Sequence, residues 1–200
     1  MTNANPNAPA YRWLLLFWLF NALNVLFSVI DLPVVLFSGE AGQITLSNIL
    51  ALAAAVAQFY PFYQLGKLSD RLHRAFTVNI ISVCAAVVGL ISLLIALTDR
   101  PPYNSAAVIT VMSLVVMAGV ICLYVSQFFL YTGLEALRAE LGYDYPSRLI
   151  RLCFFVPLIC DIAAVLLDSA LKTSISLFSK CFCLIVLGLF VRAARKSEIA

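Results

Sequence analysis

Hydrophobic positions along this chain fall into long unbroken runs separated by short polar links. Six runs stand out: Trp13 to Phe37, Ile44 to Leu65, Ala75 to Leu97, Ser105 to Gly133, Leu149 to Leu167 and Thr173 to Val191. About 20 helical residues cross the hydrocarbon core of a bilayer. A membrane barrel would need apolar and polar residues to alternate, and they do not. Hydrocarbon offers no water to backbone groups, so a continuous run is stable there only as a helix bonded to itself. The predicted fold is all-α: a polytopic transmembrane bundle of about six membrane-spanning helices. Residues 1–11 are expected to be a disordered cytoplasmic N-terminus, 12–193 a single six-helix transmembrane domain, and 194–200 a cytoplasmic tail. The run from Trp13 exceeds a signal-peptide core and lacks a clear cleavage site, so it is expected to remain as an anchor.

Orientation follows from the basic residues in the links. Arg12, Lys67, Arg71, Arg74, Arg138, Arg148, Arg151, Arg192, Arg195 and Lys196 share one side, while Arg100 and Lys172 lie on the other. Cytoplasmic links carry the excess of Lys and Arg, which predicts an N-in/C-in arrangement.

Composition supports the bilayer as solvent. The chain is 63% hydrophobic and 12% charged, with mean hydropathy +1.00. A soluble domain is usually about half apolar and a quarter charged. The net charge of +3 is spread between apolar runs, so no nucleic-acid partner is expected. The lipid bilayer is the expected partner, with a membrane protein or a second copy of the chain as a further one. The lack of an N-x-S/T sequon fits a bacterial inner membrane. The cysteines Cys84, Cys122, Cys153, Cys160, Cys181 and Cys183 all lie in apolar runs without CxxC spacing, so they are expected to be packing residues.

Ionisable groups at membrane depth are the default candidates for function. Asp161 lies about 10 Å below the outer end of the fifth helix, and Lys180 at a similar depth in the sixth. On an antiparallel hairpin these depths allow an ion pair. It would act either as a clamp between the helices or as an ion-responsive site. Pro157 is one turn from Asp161, and the carbonyl it frees is expected near the charged pair. Asp31 is a third candidate, although Asp31-Leu32-Pro33 would also suit the end of the first helix. Asn21, Asn24, Ser28 and Asp31 share one helical stripe about 80° wide. Such a stripe should face the bundle, either for interhelical hydrogen bonds or to line a hydrated cavity.

Small and polar residues elsewhere suit close packing: Ser47, Ala51, Ala54, Ala55 and Gln58 on the second helix, and Asn79, Ser82, Ala86 and Gly89 on the third. Tyr124, Gln127 and Tyr131 form a band toward the inner end of the fourth and are likewise assigned to packing. Gln58, Phe59, Leu65, Leu68 and Leu72 match Gln127, Phe128, Leu134, Leu137 and Leu141 without a gap. A duplicated helical hairpin would produce that match, and so would chance among few residue types. The leucines predict helices that continue past the membrane, with Gly142 stopping one and Pro146 opening the next.

His73 is the one histidine. There is no HExxH, P-loop or GxGxxG motif, and no apolar run holds paired carboxylates. Neither an enzyme nor a cofactor is expected. The expected function is that of an accessory or assembly protein acting through protein or lipid contacts; the alternative is a transporter of a small solute or ion with Asp161 and Lys180 near its pathway. The transporter should contain a polar cavity reaching Asp161 from at least one side; the accessory protein should be a tightly closed bundle with an apolar flank for a partner.

Overall fold

The computed structural model describes residues 10–38, 46–96, 106–167 and 169–199. They form six helices: α1 (Ala10–Ser38), α2 (Leu46–Gly66), α3 (Asp70–Ala96), α4 (Ala106–Glu140), α5 (Ser147–Ala164) and α6 (Ser169–Ile199). Five of them, all but α5, are long and apolar enough to cross a membrane. This makes the chain a membrane-embedded protein. The fifth apolar run differs from the rest because its 18-residue helix carries Arg148, Arg151 and Asp161.

Most helices overrun the apolar runs that predict them. α1 does not end at Asp31-Leu32-Pro33 but continues to Ser38. α6 starts before Thr173 and passes through Ala194, which is fully buried, to Ile199. Residues 1–9 of the expected N-terminal segment lie outside the described residues. α4 extends beyond Gly133 to Glu140, as its leucine stripe predicts. It ends as expected at Gly142, whose φ of 67° is the left-handed conformation that glycine adopts without steric penalty. The N–H of Tyr143 then bonds the Arg138 carbonyl at 3.0 Å, the long closing bond of a Schellman ending. Pro146 follows as the N-cap of α5.

The packing order is circular. Each helix packs on the next in the chain, and α6 returns to α1. The α3–α4 pair has the most extensive interface, and small residues explain it. Gly119 faces Ala85, Gly89 faces Val116 and Gly133 faces Leu72. Buried hydroxyls cross the same seam: Ser82 Oγ donates to the Gly119 carbonyl and Ser126 Oγ to that of Ala75, each at 2.8 Å. Both reach a partner backbone because the glycines let the helices approach.

The apolar core sits at one end of this ring. It joins Leu14 of α1, Leu65 of α2, Leu72 of α3, Leu134 of α4, Ile150 of α5 and Phe190 of α6. These are the ends that carry the cationic links. The link between α4 and α5 helps to close that end. Tyr143 and Tyr145 set their rings 6.0 and 5.4 Å from that of Phe190, and the Tyr145 hydroxyl donates to the Val186 carbonyl at 2.9 Å. Elsewhere the bundle turns apolar residues outward, as a lipid-facing surface requires: Leu114 and Ile121 are 59% and 60% exposed.

Candidate functional site

Inside the ring, on the far side of the apolar core from the cationic links, the polar residues gather around two adjoining cavities. The first, about 380 Å³, is lined by residues of α1, α2, α3, α4 and α6, including Asn21, Asn24, Gln58, Asn79, Ser126, Gln127 and Tyr131. The second, about 250 Å³, lies toward α5 and α6 and is lined by Pro157, Asp161, Ser176, Ser179, Lys180 and Cys183. Asn21, Asn24, Gln127, Tyr131 and Leu187 border both. Ligand pockets usually occupy about 300–1,000 Å³, a range that includes the first cavity and lies just above the second, so these spaces suit only a small solute.

The α1 stripe faces this interior. Asn21 Nδ2 donates back to the Phe17 carbonyl at 2.8 Å, while Asn24 borders both cavities. Asp31 lies on the same helix, but its side chain and that of Ser28 fall outside the described residues. On α6 the cavity-facing positions Ser176, Ser179, Lys180 and Cys183 repeat at three and four residues, the spacing of one helical face.

Asp161 and Lys180 are brought to the same cavity, yet they do not form the direct ion pair expected from their depth. Among the described residues the ion pair is Arg151–Glu135, a bidentate contact at 2.9 and 2.6 Å near the cationic end. Asp161 Oδ2 instead accepts a hydrogen bond from Tyr124 Oη at 2.8 Å. Both charged side chains are exposed and border the cavity. The carbonyl freed by Pro157 also has a different partner. Proline removes the bond to the residue four earlier, Cys153. The thiol of Cys183 fills the vacancy, donating to the Cys153 carbonyl at 3.4 Å. The freed carbonyl therefore serves the α5–α6 contact rather than Asp161.

Several residues assigned to packing by sequence reasoning have other surroundings. Tyr124 holds the acid, and Gln127, Tyr131, Gln58 and Asn79 line the interior. Two pairs of the suggested repeat share environments, since Gln58 and Gln127 border the first cavity and Leu65 and Leu134 are fully buried, but others do not: Leu72 is buried and Leu141 exposed, and Phe59 borders the cavity while Phe128 is exposed. Ser82 does pack between helices as expected. Among the described residues, His, Cys, Asp and Glu side chains nowhere converge in threes as a metal-chelating group.

Comparison with known proteins finds no matching family, no matching curated protein and no matching solved structure.

Proposed function

We propose that this chain is a non-enzymatic, six-span transporter of a small polar solute or ion, with its site in the central cavities. The observation that carries this reading is the polar interior reaching Asp161 and Lys180. A membrane protein has little reason to keep asparagine, glutamine and two ionisable groups around unfilled space unless water or a solute enters it. A purely accessory role through protein or lipid contacts is the competing proposal. It calls for a tightly closed bundle with an apolar flank for a partner, and the cavities favour the solute reading.

In this proposal α5 is the sixth span, with Arg148 and Arg151 at its cytoplasmic end and Asp161 turned inward. Both termini are cytoplasmic, and a bacterial inner membrane is the proposed location. The apolar core then seals the cytoplasmic end, and solute enters from the opposite face.

Flux into proteoliposomes tests the reading. Vesicles containing the full chain should swell faster than protein-free vesicles in gradients of small polar solutes. Gln127→Trp, which sets a bulkier side chain where the two cavities meet, should slow the rate toward the protein-free value. Equal rates with and without protein, or an unaffected Gln127→Trp variant, would overturn the transport reading.

A further inference from the structure

The second cavity carries opposite charges that do not neutralise each other, and this bears on what enters it. Asp161 stands on α5 and Lys180 on α6, both bordering a space of about 250 Å³. No direct ion pair joins them. Tyr124 occupies Oδ2 of Asp161, and a carboxylate has a second oxygen able to accept from a cation. An ammonium is a compact donor that suits an anionic ligand group. Ser176, Ser179, Asn24 and Gln127 border the same space and add hydroxyls and amides.

We infer that this cavity binds a small zwitterion, with its ammonium toward Asp161 and its carboxylate toward Lys180. The inference rests on the solute-transport reading and assigns its substrate class. A solute with a single charge would leave either Asp161 or Lys180 unmatched when it displaced the cavity water. A ligand carrying both charges matches both and brings no net charge into the membrane. Tyr124 is a positioning residue here, because it fixes the acid from the α4 side.

The test is thermal stabilisation of the full chain in lipid nanodiscs. The probes are glycine, β-alanine and γ-aminobutyrate, which space the two charges differently, against propylammonium and butyrate, which carry one each. At least one zwitterion should raise the melting temperature at a tenfold lower concentration than either single-charge probe. Asp161→Asn and Lys180→Gln should each weaken that response at least tenfold. The probe ranking is read on the unaltered chain, so it stands even if a variant folds poorly. Equal responses to propylammonium or butyrate, or full retention by a folded Lys180→Gln variant, would overturn the inference. Solute flux without zwitterion preference would defeat the inference alone. The absence of both binding and flux would defeat the transport reading as well.

Discussion

Gly133→Ala should destabilise the bundle, although alanine is the better helix former. A Cβ at position 133 would stand 2.8 Å from both Cγ and Cδ2 of Leu72 and 3.1 Å from its backbone nitrogen. Leu72 is fully buried, so its side chain has no free space to enter. Carbon atoms prefer about 3.5–4.0 Å, so the overlap is roughly 0.7 Å or more. Forcing one extra methyl into a packed core costs about 1–3 kcal/mol. In water the helix propensity of alanine would return about 1 kcal/mol of this. In lipid the segment stays helical even when the bundle comes apart, so that gain is absent and the steric penalty remains. Reversible unfolding in mixed detergent micelles measures the loss. Leu72→Ala, which itself costs about 2–5 kcal/mol, removes both clashing side-chain atoms. The double variant should therefore be less destabilised than the sum of the single changes, by about 1 kcal/mol or more. A neutral Gly133→Ala, or a strictly additive double variant, would refute the close α3–α4 approach.

Two further variants probe the polar contacts between helices. Cys183→Ala leaves the carbonyl freed by Pro157 without its side-chain donor and should cost about 1 kcal/mol, whereas Cys183→Ser, a stronger donor, should recover most of it in the same unfolding assay. Equal losses would show that the thiol only fills space. Ser126→Ala removes one buried bond to α3, and membrane helix bonds average about 0.6 kcal/mol with a maximum near 1.7. A loss well above that limit would mean that Ser126 does more than donate to Ala75.

The helices were legible in the sequence because lipid demands long apolar runs, and all six runs became helices. Their ends were less legible. The leucine stripe did predict that α4 runs on through Leu134 and Leu137, but Ala194 is buried beyond its run by a core that draws on every helix and on Tyr143 and Tyr145. Run length carries no information about such a cap. Within the candidate site, Asp161 and Lys180 have a shared depth and border one cavity. The direct pair failed because depth along two helices does not fix side-chain azimuth or competing partners. Tyr124, 37 residues from Asp161 in sequence, holds the acid instead. The polar face of α6 at Ser176, Ser179 and Lys180 did carry a readable spacing. Gln58 and Asn79 were assigned to packing because a lone polar residue on a small-residue face looks the same whether it meets a helix or a cavity.

Hydration of the ring interior is most directly measured by labelling membranes with a charged, membrane-impermeant thiol reagent and reading each site by peptide mass spectrometry. Thiols react as thiolates, which form in water and not in hydrocarbon. Gln127→Cys replaces a residue bordering both cavities, while the native Cys84 is exposed on the outer surface of α3, within an apolar span. The predicted result is modification at position 127 and protection of Cys84. Modification of Cys84 at the same rate, or of neither site, would contradict a lipid-embedded ring around a water-filled centre.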